Sequence, residues 1–125
     1  MAYEFSFEKL QVWQIARSLV ADIYKITEKF PNKETFGLVS QMRRAAVSVC
    51  ANIAEGSTRA TFKDQARFTS IAYGSLIELL NHRILSSDLG YMPEVELAVF
   101  KKKIQPLSVK INNLRIRQIS LDKKK

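Results

Sequence analysis

The sequence predicts an all-α protein, an antiparallel up-down-up-down four-helix bundle that assembles as a homo-oligomer. Apolar residues recur at intervals of three and four along four long segments, and no alternating strand pattern competes with them. Only four glycines and three prolines interrupt the 125 residues, so the connections must be short, as they are between neighbouring helices of a bundle. This length is typical of one domain, and we assign residues 1–125 to a single bundle.

The first predicted helix covers residues 7 to 30. Its apolar face is spaced at three and four residues and comprises Leu10, Trp13, Ala16, Ile23 and Phe30. We expect Ser6 to cap the N-terminus, with Glu8 in the first turn, because a hydroxyl can accept a free backbone N–H there. Pro31 cannot continue a helix and is expected to end it.

The second predicted helix covers residues 38 to 55 and ends at Gly56, which we expect in a left-handed C-cap. It is apolar around most of its circumference, except for one polar seam that comprises Gln41, Arg44, Ser48, Asn52 and Glu55. A helix of a lone bundle has a solvent face, so this distribution predicts that another copy of the chain covers it. The seam, Arg43 and Gly56 are then expected to fix helix packing and subunit contacts. A carboxylate near a helix C-terminus opposes the dipole, so Glu55 is expected to pair with Arg43, Arg44 or Arg59.

The third predicted helix covers residues 61 to 89. The Thr61 hydroxyl is placed to cap it, and Asp64 three residues later makes the start similar to a capping box. Gly90 is expected to end the helix. Gly74 lies in the interior, where glycine costs about 1 kcal/mol relative to alanine, so we expect another backbone to approach closely at this point.

The fourth predicted helix begins near Pro93, since proline is well suited to a first helical turn. Pro106 lies inside the pattern and removes one backbone hydrogen bond, so we expect a kink within residues 102 to 106. The basic tail after Leu121 is expected to fray.

The net charge of +8 is concentrated at the end of the chain. Residues 1–100 contain 11 Lys and Arg and 11 Asp and Glu, whereas residues 101–125 contain nine basic residues and only Asp122. This asymmetry is typical of a segment that meets an anionic partner, most often nucleic acid, although a solubilising surface is the alternative. We predict phosphate contacts from Lys101, Lys102, Lys103, Lys110, Arg115 and Arg117.

Other classes of protein are disfavoured by what the sequence lacks. Acidic residues interrupt the first 30 residues, so neither a secretory signal nor a membrane span is predicted, and we expect a cytoplasmic protein. Cys50 lies in an apolar helical run and is expected to be a buried apolar residue. With one histidine, no metal-ligand spacing and no phosphate-binding glycine loop, we predict no metal, no cofactor, no small-molecule substrate and no enzymatic activity. His82 follows Glu78 by four residues, which favours a side-chain pair over catalysis.

Four motifs carry a family resemblance: Phe7-x-x-Leu10-x-Val12-Trp13-x-x-Ala16, Gly37-Leu38-x-x-Gln41-x-Arg43-Arg44-Ala45-x-x-Ser48, Asn52-Ile53-Ala54-Glu55-Gly56 and Ala72-x-Gly74-Ser75-Leu76-x-Glu78-Leu79. They resemble the four-helix-bundle proteins encoded within intervening sequences of bacterial 23S ribosomal RNA genes. The resemblance covers about residues 5 to 90, and the last helix matches only in pattern. It implies a ring-like homo-oligomer, commonly a pentamer, with no established enzymatic activity and with nucleic-acid binding suggested by charge and genetic location.

The leading hypothesis is therefore a non-enzymatic oligomeric bundle that presents basic C-terminal helices to RNA or DNA. The rival hypothesis is a scaffold or adaptor for another protein, in which the basic end only keeps the assembly soluble. Salt-dependent binding to nucleic acid discriminates between the two.

Overall fold

Four long helices account for most of the chain in a computed structural model that describes residues 2–124. They are α1 (Gln11–Thr27), α2 (Ser40–Gly56), α3 (Phe62–Asp88) and α4 (Glu94–Lys123). Three short helical segments complete the element order: 3₁₀ turns at Ser6–Lys9 and Asn32–Glu34, and a π-helical segment at Thr35–Val39. No strand occurs in these 123 residues, and the all-α prediction is confirmed.

The first helix begins later than predicted. Ser6 opens the 3₁₀ turn and does not cap α1; the N-cap is Leu10, which has an extended backbone. The Glu8 carboxylate accepts a hydrogen bond from the Phe5 backbone N–H at 2.7 Å, which stabilises the 3₁₀ turn. Because the Glu8 carboxylate caps the 3₁₀ turn in this way, the turn forms a helical segment of its own before α1.

The first helix also ends three residues before Phe30. In its last turn the Thr27 hydroxyl donates to the carbonyl of Ile23 at 2.7 Å and lies 3.2 Å from that of Tyr24. A side-chain hydroxyl that donates to a carbonyl of the preceding turn competes with the backbone hydrogen bonds that continue a helix. The predicted stop at Pro31 therefore falls beyond the observed end.

The connection between α1 and α2 is more ordered than the sequence indicated. Glu34 caps the π-helical segment by accepting the Leu38 backbone N–H at 3.2 Å, and its other carboxylate oxygen accepts the Tyr91 hydroxyl at 2.7 Å. These two hydrogen bonds lower the pKa of Glu34, and the bond to Glu34 raises the pKa of Tyr91. The predicted start of α2 at residue 38 moves to Ser40 because residues 35 to 39 form the π-helical segment instead.

Gly56 does not adopt the predicted left-handed conformation. Among the described residues a positive φ occurs only at Gly90, at 77°, where α3 has ended as predicted. Gly56 is the buried last residue of α2, and a Cβ at this position would lie 2.8 Å from Cβ of Phe68. A residue without a side chain fits this position because α3 passes close to it. Gly74, in contrast, has open space around it, so the close approach predicted for it is absent within the chain.

The start of α3 and the course of α4 test two further predictions. The Thr61 hydroxyl accepts the Asp64 backbone N–H at 3.1 Å, which confirms the predicted N-cap. Helix α4 starts after Pro93 and is continuous through Pro106, so proline does not break it; a bend there remains a prediction. The helix extends to Lys123, two residues beyond Leu121, and fraying of the tail stays a prediction.

The core lies between the four helices and receives apolar side chains from each of them. Ala16 and Ile23 of α1, Met42, Ala46 and Val49 of α2, Ala72, Leu76 and Leu79 of α3 and Ile111 of α4 are fully buried. At about 25 cal/mol per Å² of apolar surface, each large side chain among them contributes about 1.5–3 kcal/mol. The amphipathic periodicity in the sequence is therefore sufficient to explain the packing.

One charged residue is sealed inside this core. Arg83 of α3 has no exposed surface; it donates one hydrogen bond, to Ser87 Oγ at 2.8 Å, and its guanidinium lies 5.8 Å from the centroid of the Phe100 ring. Its Nε and Nη2 atoms have no hydrogen-bond partner. Burial lowers the pKa of Arg83, and the charge of Glu96 opposes this shift.

The two glycines in helices provide a matched test of the packing. We expect Gly56→Ala to destabilise the protein by about 1–3 kcal/mol, because the new methyl group collides with a Cβ that cannot move without its backbone. In the dissociated chain, at low protein concentration, Gly74→Ala should be neutral or stabilising by up to about 1 kcal/mol, because alanine favours the helix and its methyl group meets nothing among residues 2–124. Urea unfolding followed by circular dichroism measures both, and equal stability of Gly56→Ala and the wild type would contradict the assigned packing.

Candidate nucleic-acid interface and packing seam

The predicted polar seam divides into a bonded half and an exposed half. Ser48 Oγ lies 2.7 Å from Ser75 Oγ, which joins α2 to α3. Asn52 Nδ2 donates to the Ser48 carbonyl at 2.8 Å and to Ser48 Oγ at 3.0 Å. These half-buried groups satisfy one another, as buried polar groups generally must. Ser48 therefore bonds α2 to α3 within one chain, Asn52 bonds to Ser48, and the predicted role of both in subunit contacts stays a prediction.

The rest of the seam is not bonded within the chain. Gln41, Arg44 and Glu55 are exposed, and their side chains have no hydrogen bond or ion pair among residues 2–124. The predicted cationic partner of Glu55 is therefore absent here. Arg59 is placed over the Phe68 ring instead, 4.6 Å from its centroid. Arg44 and Glu55 are exposed because the packed side of α2 is occupied by apolar residues such as Met42 and Val49.

Arg43, which belongs to the same motif, is held on the other side of α2. Its Nε donates to the Thr27 hydroxyl at 2.9 Å, and its guanidinium lies 4.5 Å from the centroid of the Tyr24 ring. Arg43 thus links the end of α1 to α2. Its role in packing was predicted, but not the identity of its partners.

The basic residues predicted to contact phosphate all lie on α4, which carries no acidic residue between Glu96 and Asp122. We call residues 97–121, with six cations and no carboxylate, the basic segment. Its first and last cations, Lys101 and Arg117, are separated by about 24 Å along the helix axis. The acidic residues of α4 are confined to its two ends. The middle of the helix therefore carries only positive charges of its own.

The structure does not gather these six residues into one patch. Lys103, Lys110 and Arg117 follow one another at seven-residue spacing and form a row along the side of α4 next to α1. Lys103 Nζ pairs with Asp22 of α1, and Lys110 Nζ donates to Gln11 Oε1 of α1 at 3.2 Å.

The other three cations occupy the remaining sides of the helix. Arg115 bonds Asn112 and lies 5.1 Å from the centroid of the Tyr73 ring on α3. Lys101 and Lys102 are exposed and, like Arg117, have no hydrogen-bond or ion-pair partner in the described part of the chain. Three cations are therefore fully available, while three make contacts within the fold.

A second surface with an exposed aromatic residue was missed by the sequence analysis. Phe36, in the π-helical segment, is 95% exposed and borders a shallow groove of about 620 Å³ that also involves Tyr24, Arg43, Arg44 and Val47. Phe36 lies beside Tyr24 and Val47, which are also exposed, and a contiguous exposed apolar patch is a candidate contact surface. The sequence feature that could have indicated this surface is Phe36 itself, an aromatic residue in a short connection that contains no other apolar residue before Leu38.

The residues considered for catalysis lie apart from any reactive constellation. His82 Nε2 is 3.7 Å from Glu78 Oε2, too far for a hydrogen bond, and neither ring nitrogen has a hydrogen-bond partner among the described residues. Cys50 is half-buried rather than buried, beside Trp13 and Arg17 in a groove between α1 and α2, and burial raises the pKa of its thiol. A raised pKa lowers the fraction of reactive thiolate.

The two halves of the polar seam should respond differently to truncation. We expect Asn52→Ala to lower the free energy of unfolding by about 1–2 kcal/mol, because it removes two hydrogen bonds and leaves Ser48 with only one side-chain partner. Glu55→Ala, the control, should change it by less than about 0.5 kcal/mol if Glu55 stays in solvent. Chemical denaturation at low protein concentration measures both, and a larger loss for Glu55→Ala would show that the exposed half is engaged elsewhere.

Comparison with known proteins places this arrangement in a family. A family model described as 23S rRNA-intervening sequence protein matches residues 8–113, which includes α1, α2, α3 and the first two thirds of α4. The match reaches further into α4 than the motifs quoted above and ends before Arg115 and Arg117. No curated protein shows a significant match. In the described residues no helix is both long and apolar enough to cross a membrane. The chain belongs to the 23S rRNA-intervening sequence protein family.

Proposed function

We propose that this protein is a non-enzymatic oligomeric bundle that binds RNA or DNA through α4. The observation that carries this proposal is the basic segment, with its six cations and no carboxylate on one continuous helix. The phosphate backbone supplies most of the affinity in sequence-independent binding, and cations along a rod match a linear polyanion. Base-specific readout is not part of the proposal.

The contacts that some of these cations make within the fold are compatible with this role. Lys103 and Asp22 form an exposed ion pair, and such pairs contribute about 0–1 kcal/mol. A phosphate oxygen can therefore replace the carboxylate at small cost. Lys101 and Lys102 need no such exchange, and we propose that they make the first contacts.

The proposed topology is an antiparallel up-down-up-down bundle. Contacts between α2 and α3 join Met42 to Ser86 and Ser48 to Ser75, so residue numbers fall on one helix as they rise on the other. Contacts between α3 and α4 join Thr69 to Gln118 and Arg83 to Phe100 in the same sense. Short connections between the helices support the same arrangement.

We propose that copies of the chain associate through the outer face of α2 and α3, most simply as the pentamer that the family resemblance implies. This face combines the exposed half of the polar seam with Ile71 and Leu85, two half-exposed apolar side chains, and with Gly74, which has open space around it. A glycine without a neighbour in its own chain leaves room for the backbone of another copy. Five copies of net charge +8 would carry +40 and display five basic helices, which favours multivalent binding.

The rival function, a scaffold or adaptor for another protein, is favoured by one observation. Phe36 stands almost fully in solvent beside Tyr24 and Val47, and aromatic residues are enriched in protein interfaces. This surface is separate from α4. The two functions therefore predict different partners for different faces.

Salt dependence tests the nucleic-acid function. We expect labelled single-stranded RNA and DNA to bind with an affinity that falls linearly, on logarithmic axes, with salt concentration, because binding releases counterions. The double variant Lys101→Gln/Lys102→Gln should reduce the slope by about 1.4, at roughly 0.7 for each phosphate contact. Fluorescence anisotropy measures both quantities.

The control for this experiment is Lys29→Gln/Lys33→Gln, which removes two exposed charges that lie outside α4 and should leave the slope nearly unchanged. Equal effects of the two double variants would show that binding depends on the net charge of the protein and not on the position of the cations in α4. No binding at low salt would exclude the nucleic-acid function and favour the adaptor.

Self-association is tested by sedimentation. We expect the purified protein to sediment as one closed oligomer well above its chain mass of 14.3 kDa. Gly74→Trp should dissociate it, because a large side chain would fill the space left for another copy, while an exposed residue of α4 such as Lys102, changed to Gln, should leave it intact. A monomer at micromolar concentration would overturn the proposed assembly.

A further inference from the structure

One cavity lies at the end of the bundle where α1 begins, α2 ends, α3 begins and α4 ends. Its volume is about 630 Å³, within the range of about 300–1,000 Å³ that is typical of small-molecule sites. All four helices contribute to its wall, which comprises Leu10, Gln11, Val12, Ile53, Ser57, Gln65, Thr69, Lys110, Asn113, Leu114, Arg117 and Gln118. We call it the terminal cavity.

The lining of the terminal cavity has an unusual polarity. It contains two cations, Lys110 and Arg117, and no carboxylate. Four carboxamides and two hydroxyls supply both hydrogen-bond donors and acceptors. Val12 and Ile53, both buried, contribute an apolar part. This combination favours an anionic ligand that also has an apolar face and a polar edge.

Part of the polar lining is held in place by the fold. Gln118 is buried, and its Oε1 accepts the hydroxyl of Thr69, itself buried, at 2.7 Å. On the opposite wall the Lys110 ammonium donates to Gln11 Oε1 at 3.2 Å. Side chains fixed by such contacts lose little conformational entropy when a ligand binds. The cavity is therefore built before any ligand arrives.

The cations are arranged for more than one anionic group. Lys110 and Arg117 are seven residues apart on α4, which places them about 10 Å from each other along the axis. Arg117 has no partner among the described residues, whereas Lys110 has a neutral one. Two separated cations suit a phosphate on each side of a bound group better than one isolated anion.

We propose that the terminal cavity binds one unpaired nucleotide, with its base inside against the apolar part and its phosphate at Lys110 or Arg117. A nucleobase has an apolar face and a hydrogen-bonding edge, and carboxamides of Asn and Gln are well suited to that edge. For a nucleotide within a strand this deepens the function proposed above and rests on it. The same chemistry is present in a free nucleoside monophosphate, so the experiment includes both sources.

Two variants and one control separate the cavity from general electrostatics. Asn113→Trp fills the cavity without changing charge, at a residue that is exposed and thus tolerant of substitution. Arg117→Gln removes an unpartnered cation from the wall, and Lys102→Gln removes one cation from the same helix outside the cavity. Thermal unfolding first verifies that each variant is folded; Arg117→Gln keeps the test decisive if Asn113→Trp is not.

The probes are a single-stranded polyuridine RNA of about ten nucleotides, the four ribonucleoside 5′-monophosphates, ribose 5-phosphate and inorganic phosphate. We expect Arg117→Gln to weaken RNA binding by about tenfold or more, the effect of losing one well-placed charged hydrogen bond, and Asn113→Trp to weaken it as much by filling the cavity. Lys102→Gln should weaken it less, by the loss of one exposed phosphate contact. At least one nucleoside monophosphate should compete with the RNA. Ribose 5-phosphate and inorganic phosphate should not compete at the same concentration.

The outcomes separate this proposal from the proposed function. If RNA binds with a steep salt dependence and Asn113→Trp and Arg117→Gln bind like Lys102→Gln, the cavity proposal is wrong while the nucleic-acid function stands. If RNA does not bind at all, the nucleic-acid function fails. In that case saturable binding of a nucleoside monophosphate that either cavity variant weakens by about tenfold supports the cavity as a free-nucleotide site, and its absence overturns the proposal.

Discussion

The close approach of α2 and α3 is the constraint on which the rest of this structure depends. Helix α2 contributes two small buried residues, Ala46 and Gly56. At Gly56 there is no room for a methyl group beside Phe68. At this distance polar groups on the two helices can meet directly, as Ser48 and Ser75 do. The remaining helices then pack larger side chains against this pair. Ser48, Asn52 and Gly56 of the family motifs thus serve the tight packing of these two helices.

The distribution of charge along the chain is not determined by the helix packing. The first 100 residues are electrically balanced, and their charges lie mostly on the surface or in short-range pairs. Helix α4 carries the excess, and its carboxylates are kept to the first turn and the end. A neutral fold with one cationic helix concentrates the electrostatic potential on one side of the molecule. The same helix supplies five of the residues that line the terminal cavity, so long-range attraction and a defined recess are combined on one element.

Periodicity in the sequence was sufficient to predict four helices and most of the core, because burial of an apolar face depends on spacing alone. Boundaries were less accurate where a local interaction decides them, as Glu8 does before α1 and Glu34 does before α2. Gly56 was misassigned because a glycine that permits close packing and a glycine that ends a helix are the same residue in sequence; only the neighbouring Phe68 distinguishes them. The terminal cavity could not be predicted, since its wall combines residues that are distant in the chain and whose faces are known only after packing. The division of the six cations among three sides of α4 likewise depends on which neighbour each side meets.

Arg83 determines where this bundle is expected to open transiently. A guanidinium that lies wholly inside the protein with two unbonded nitrogens gains hydration as soon as water can reach it, and this gain offsets part of the apolar packing energy that opening removes. The neighbouring Phe100 ring should therefore separate from Arg83 more readily than apolar side chains separate elsewhere in the core. Transient openings would then begin where α3 and α4 meet around this residue, at the other end of α4 from the terminal cavity. The two ends of the fourth helix would then differ, since one opens only transiently around Arg83 whereas the other holds a permanent recess.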